Sequence, residues 1–160
     1  MIRSDLHLII EKATILDAEQ ILALQKKSYV SEAEIYNNYT ISPLIQTIEE
    51  IRRDFEKQVV LKIVIEDKLV GSVRAYENKG SCYIGKLIVH PDFQNRGLGT
   101  QLLCEVESRY LTVERFELFT GFKSERNLYL YQKLGYRIFR TEKVSNLFSL
   151  VYLEKYQNRG

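Results

Sequence analysis

Proline occurs only twice, at Pro43 and Pro91, and no Pro/Gly-rich run, low-complexity tract or internal repeat interrupts the chain. That excludes a hinge between domains and a repeat array, so the 160 residues read as a single domain, long enough to bury a core. Cysteine is equally scarce. Cys82 and Cys104 stand apart, with no CxxC pair and no histidine cluster, which leaves neither a disulfide framework nor a zinc site; two ordinary buried thiols and no metal are expected. Long apolar runs are missing as well. The start, MIRSDLHLIIEK, has a five-residue apolar core broken by His7, too short for a signal peptide or a membrane span, so a cytoplasmic protein without a membrane partner is expected. Nor does charge of one sign dominate: 23 Lys and Arg face 21 Asp and Glu with no dense basic run, which supplies no field for a polyphosphate backbone. Nucleic acid is not an expected partner.

What is present is the balance of a folded protein, 45% apolar and 28% charged residues. Residues 6–13 read as a strand, and Asp17 as the cap of a helix carrying Ile21, Leu22 and Leu24. The tyrosine-rich stretch 28–42 reads as a loop or broken helix. Thr47 with Glu50 makes a capping-box signature, and Ile48, Ile51 and Phe55 follow at helical spacing, which predicts a helix over 43–57. Three β-branched runs, 59–66, 69–77 and 81–89, are separated by the short turns EDK and NKG and predict an antiparallel meander. Leu98, Leu102, Val106 and Tyr110 recur at i+4 and give a helix over 97–110. A strand over 115–120, a helix over 125–134 stopped by Gly135, and a strand pair over 136–143 and 147–155 complete the order. Such an order indicates a mixed sheet with helices on its faces.

The chemistry concentrates in HPDFQNRGLGTQLL, residues 90–103, where a strand becomes a helix. A helix start offers N–H groups without intrahelical partners and the positive end of the macrodipole, and so attracts phosphate. Glycine at 97 and 99 removes the Cβ where oxygens must reach those amides, and Arg96 adds a positive charge. A dinucleotide fingerprint would need glycine where Leu102 stands, and a P-loop would need a Gly-Lys-Ser/Thr ending that is absent. Taken alone, the glycines could equally serve only to shape a tight turn.

Residues 89–100, VHPDFQNRGLGT, resemble the Q/R-x-x-G-x-G/A coenzyme A loop of the GNAT superfamily of acyl-CoA N-acyltransferases, and residues 127–136, NLYLYQKLGY, resemble its second signature. The two motifs stand in order at the family's usual separation, and the resemblance extends over about the whole chain, weakest over 28–58. It implies an α/β (α+β) fold of GNAT type: a largely antiparallel central sheet of about seven strands with helices on both faces. It also implies an N-acetyltransferase that moves an acetyl group from acetyl-CoA to a small-molecule or peptide amine. A module of the same fold that binds acyl-CoA without turning it over is the alternative, and an unrelated phosphate-binding domain a third. Residue by residue, the resemblance makes Gln94, Asn95, Arg96, Gly97, Leu98, Gly99 and Thr100 the pyrophosphate loop. Leu87 and Val89 would pair their backbones with the pantetheine arm, the Leu87 N–H facing the thioester carbonyl. Asn127 would touch the same arm, and Tyr131 would be the general acid for the departing thiolate.

Gly85 in mid-strand fits a bulge or a close backbone approach that would open a slot for that arm. The base is left open. Many relatives carry Glu or His where Tyr83 and Gly85 stand here, which leaves His90, Glu32, Glu34 or a water chain. Tyr29, Tyr36 and Tyr39 together with Glu32 and Glu34 could form a pocket for a cationic or aromatic amine. The final strand pair offers an edge for a homodimer, and the terminal YQNRG carries no targeting signal.

Overall fold

In the computed structural model, which describes residues 7–157, β1 (Leu8–Lys12) pairs antiparallel with β2 (Val59–Ile65). β2 then leads through β3 (Lys68–Asn78) to β4 (Ser81–Val89) by two-residue turns. Glu66 and Asp67 take left-handed φ of 48° and 66°, and Lys79 and Gly80 take 51° and 82°. Two consecutive left-handed residues match the twist of the flanking strands, so both hairpins close in the expected meander. β5 (Arg115–Gly121), β6 (Arg137–Ser145) and β7 (Phe148–Tyr156) complete a sheet of order β1-β2-β3-β4-β5-β7-β6. β4 and β5 run parallel, and every other neighbouring pair is antiparallel. The mixed, largely antiparallel sheet expected from the sequence is thus present.

Helices cover both faces. α1 (Ala18–Tyr36), α2 (Ser42–Ile45) and α3 (Ile48–Lys57) lie on one face, α4 (Leu98–Arg109) and α5 (Glu125–Lys133) on the other. The pleat divides the core between them: Val60 joins Ala18, Ile21 and Ile51, while its neighbour Leu61 joins Val73, Leu102, Val106, Phe116 and Leu153. No helix among the described residues is long and apolar enough to cross a membrane.

Several local expectations need correction. Asp17 stands at the N-cap of α1 as expected but makes no side-chain cap bond there; its carboxylate accepts the Thr14 N–H, and Thr14 caps a preceding 3-10 turn (Ile15–Asp17) by accepting from the Leu16 N–H. The stretch 28–42 is not a loop as far as Tyr36: α1 continues through it, buries Ala33, and stops where Asn37 turns left-handed at φ 50°. The helix expected over 43–57 is two helices. Gln46 is extended between them, and the Thr47–Glu50 capping box starts α3 afresh. Cys82 is buried as expected, but Cys104 is exposed. The first strand begins at Leu8; its expected residue 6, most of the segment read against a signal peptide, and the last three residues of YQNRG lie outside the described residues.

Arg74 explains the break at Gln46. It is 2% exposed on β3, and its guanidinium donates to Gln25 Oε1 at 2.6 Å, Asp54 Oδ2 at 2.9 Å and Gln46 Oε1 at 3.3 Å. Gln25 Nε2 in turn donates to Gln46 Oε1 and to the Pro43 carbonyl, both at 2.9 Å. One buried cation therefore fastens α1, the α2–α3 link and α3 to the sheet. Asp54→Asn leaves that guanidinium with hydrogen bonds but no counter-charge, and is expected to lower the unfolding free energy by about 1–3 kcal/mol. A urea titration should show the midpoint falling at unchanged slope.

Candidate functional site

β4 and β5 pair only where Ser81–Tyr83 meets Arg115–Glu117, and beyond Tyr83 they separate. A bulge accompanies the split. Ser72 opposes Ile88 while Arg74 opposes Gly85, so Lys86 and Leu87 both face Val73. The bulge expected at Gly85 falls one residue later, on Lys86, which holds φ 51°. Such a conformation costs a side-chain-bearing residue about 1–2 kcal/mol. His90 N–H donates to the Val70 carbonyl at 2.7 Å, toward β3, so by alternation the backbones of Val89 and Leu87 face the gap. The Val89 carbonyl there accepts from Ser28 Oγ and Gln94 Nε2, both at 3.3 Å.

At the mouth of this gap α4 begins without a side-chain cap. Gly97 is its N-cap at φ 79°, and the first helical bond runs from Gln101 N–H to the Gly97 carbonyl at 3.0 Å. The amides of Leu98, Gly99 and Thr100 therefore have no carbonyl of their own turn to bind. The two glycines serve different needs. A Cβ on Gly97 would meet nothing within 4 Å, so this glycine supplies the left-handed turn and an open approach; a Cβ on Gly99 would lie 3.2 Å from Leu130 Cδ2, so this one lets α4 close on α5. Arg126 holds the loop from α5, donating to Gln94 Oε1 at 2.5 Å and to Asn95 Oδ1 at 3.0 Å.

Gap and helix start form one cleft of about 420 Å³. Of the residues selected from the sequence, Leu87, Val89, Gln94, Asn95, Gly97, Leu98, Gly99, Thr100 and Asn127 line it. Arg96 and Tyr131 do not: Arg96 is exposed, with its guanidinium 5.1 Å from the Phe93 ring centre, and Tyr131 is buried, next in the chain to the lining residue Leu130. Arg126 and Lys133 line it as well, and the contacts of Arg126 with residues 31 and 32 positions away leave no mark in local spacing.

Two neighbouring tyrosines on the α5 side differ in a telling way. Tyr131 and Tyr136 are 6% and 1% exposed, with ring centres 6.3 Å apart. The Tyr136 hydroxyl donates to Glu107 Oε2 at 2.9 Å, a structural bond, whereas the Tyr131 hydroxyl has no partner among the described residues. Burial, then the fields of Tyr29 and Glu32, holds Tyr131 above the ordinary tyrosine pKa, so it keeps its proton. Across the cleft on α1, Tyr29 is pushed up to about 12 by burial and by Glu32, with Arg74 opposing.

The part of α1 expected to be a loop is the wall that carries Glu32. Its Oε2 accepts from Ser124 Oγ at 2.6 Å and its Oε1 from Asn127 Nδ2 at 3.3 Å, and Asn127 also donates to Thr120 Oγ1 at 3.2 Å. Tyr36 docks the end of α1: its hydroxyl lies 2.9 Å from Ser124 Oγ and accepts the Lys123 N–H at 2.8 Å, over Gly121, where any Cβ would strike the phenol. The aromatic pocket expected from Tyr29, Tyr36 and Tyr39 is therefore not assembled. Tyr36 is spent on docking, and Tyr39 and Glu34 are exposed. His90 is also removed as a candidate base. Its Nδ1 accepts the Asp92 N–H at 3.1 Å, and its ring borders a separate depression with Lys27 and Lys68, where burial and those two cations lower its pKa. Glu32 remains.

Comparison with known proteins agrees with this geometry. The family model described as acetyltransferase (GNAT) family matches residues 18–136. UPF0157 protein YqkA of Bacillus subtilis (strain 168) is 28% identical over 149 residues, covering 93% of this chain but 42% of that protein; the chain spans less than half the length of this relative. Among solved structures, the ribosomal-protein-S18-alanine N-acetyltransferase from Escherichia coli aligns over 96% of each chain with a TM-score of 0.80 at 12% identity. PaiA N-acetyltransferase from Thermoplasma acidophilum, in complex with coenzyme A, covers 94% of this chain and 99% of its own with a TM-score of 0.73 at 16% identity. Likeness at such identities speaks for the fold.

Proposed function

Because the chain belongs to the GNAT family of acetyltransferases, we propose that it moves the acetyl group of acetyl-CoA onto a primary amine by direct attack, in the cleft between β4 and β5. One observation carries this reading: the uncapped start of α4 opens into the same cleft as the unpaired edge of β4. An anionic pyrophosphate and an extended amide-bearing arm are the two features of coenzyme A that such surfaces complement. Acetyl-CoA supplies the acyl group as an activated thioester.

The chain's own residues do the rest. The amides at 98–100 hold the pyrophosphate, and the Val89 and Leu87 backbones align the arm. The Leu87 N–H, fixed by the bulge, stabilises charge growing on the carbonyl oxygen, an effect typically of about 10²- to 10³-fold in rate. The amine nitrogen bonds to the acyl carbon as the carbon–sulfur bond breaks. Tyr131 gives its proton to the leaving sulfur, and the amine's surplus proton passes to Glu32, the carboxylate that lines the cleft. Ser124 and Asn127 keep that carboxylate in place.

Two measurements test the reading. Calorimetry with acetyl-CoA should give one site per chain, and thiol release should then appear with at least one class among polyamines, aminoglycosides, amino acids and peptide N-termini. Binding without release by any amine would make the protein a module that only holds the coenzyme. Absence of binding would overturn the proposal.

A further inference from the structure

The two edges of the sheet are guarded differently. β1 is five residues long, short enough to offer little to a foreign strand, whereas β6 is nine residues long, exposed at every position, and its far side pairs with no described strand. Neither proline nor glycine interrupts it. Phe139 and Val144 fall out of register with β7 as bulges, which leaves 140–143 as the regular stretch between them.

Charge is a common defence of such an edge, and a run of one sign would repel every copy of itself. β6 instead carries both signs. Arg140 and Glu142 straddle Thr141, their side chains each 48% exposed. Both stand over Tyr152: the Arg140 guanidinium lies 3.7 Å from its ring centre, and its hydroxyl donates to Glu142 Oε1 at 3.2 Å. Between themselves they form only a loose pair at 3.7 Å, which contributes little and leaves both groups about half open to solvent at the edge.

Symmetry decides what can answer this pattern. When a strand pairs antiparallel with its own copy about a twofold axis normal to the sheet, each face of the sheet stays on its own side, and directly opposed residues share a face. Side chains alternate, so the axis must pass where a residue opposes itself. Within 140–143, centring on Arg140, Glu142 or Lys143 sets a charge against its own copy. Centring on Thr141 sets Arg140 against the partner's Glu142 and Glu142 against the partner's Arg140, two opposite-charge pairs in one register. Ile138 and Val144, 49% and 56% exposed, lie equally far along the chain from Thr141, so each comes to the level of the other in the partner and adds apolar area beside the charges.

We propose that the protein forms a twofold homodimer in which β6 pairs antiparallel with β6 of a second copy, centred on Thr141, so that one sheet runs through both chains. No residue lining the transfer cleft lies on β6, and the inference does not depend on the transfer reading.

Charge reversal tests the register. Sedimentation equilibrium should show the wild type reaching twice the chain mass. Arg140→Glu and Glu142→Arg each oppose like charges twice across the axis, and each should weaken association by about 100-fold or more. The double reversal restores opposite pairs and should return to within about tenfold of wild type. A mixture gives the sharpest readout: one variant presents two carboxylates and the other two guanidinium groups, so the two should dimerise with each other although neither does so alone. Misfolding cannot imitate that result, and circular dichroism of each variant should match wild type because both positions are exposed.

A wild type that stays monomeric at submillimolar concentration would leave the edge to a strand of another protein and overturn the inference. So would single variants that dimerise as tightly as wild type, or a mixture or double reversal that associates as weakly as the single variants. The transfer reading survives each of these outcomes.

Discussion

Replacing Tyr131 with Phe is expected to lower kcat by about 10²- to 10³-fold while the KM for acetyl-CoA stays within a factor of about two. The change removes one oxygen and leaves the ring that packs beside Tyr136. Since the hydroxyl has no protein partner, its removal breaks no described hydrogen bond, and the folded state should be nearly as stable as before. A loss confined to kcat therefore isolates proton donation to the sulfur. The pH profile supplies a second readout. Burial keeps this phenol protonated above the ordinary tyrosine value, so an activity limb that depends on its proton should appear only at strongly alkaline pH. Lowering the pH does not remove that proton, so an acidic limb must belong to another group. Steady-state kinetics from neutral to alkaline pH check both points. If the Phe variant turned over at the wild-type rate throughout, the tyrosine would have no part in the chemistry.

Gly97→Val should weaken acetyl-CoA binding by about 100-fold. Two causes act together and can be separated. A β-branched residue at φ 79° pays backbone strain of about 1–3 kcal/mol, and its side chain projects into space that is open in the present structure. Gly97→Asn divides the two, because asparagine tolerates the left-handed region but still carries a side chain. An intermediate loss for Asn and a large one for Val would show that bulk and strain both count. Calorimetry gives the affinities, and far-ultraviolet circular dichroism confirms that the helices persist. Affinity equal to wild type in both variants would mean that the pyrophosphate does not rest on these amides.

The sequence was most informative where short-range rules govern. Both turns of the meander, the capping box at Thr47 and the i+4 row of α4 are decided within a few residues, and all stand where local patterns place them. The glycine pair at 97 and 99 was legible for the same reason: a strand, a tight turn and a helix start follow one another without interruption. Local reading failed where a distant partner decides. Residues 28–36 have too few apolar side chains to declare a helix, but Tyr36 and Glu32 find Ser124 at separations of 88 and 92 residues and hold the segment in helical form. Gln46 breaks a helix because Arg74, on a strand 28 residues later, draws it inward. Lys86, not Gly85, bears the bulge, and composition alone would have favoured the glycine.

By itself, then, the sequence determined a mixed sheet with a glycine-lined helix start suited to phosphate, since turn chemistry, strand alternation and helical period act between residues close along the chain. Only the tertiary structure decided which polar groups meet. It joined Glu32 to Asn127 across 95 residues, committed His90 Nδ1 and the Tyr36 hydroxyl to backbone amides, and left the Tyr131 hydroxyl without a partner among the described residues. Whether a buried polar group is satisfied depends on what every other element brings within about 3 Å of it, and no short window of sequence contains that information.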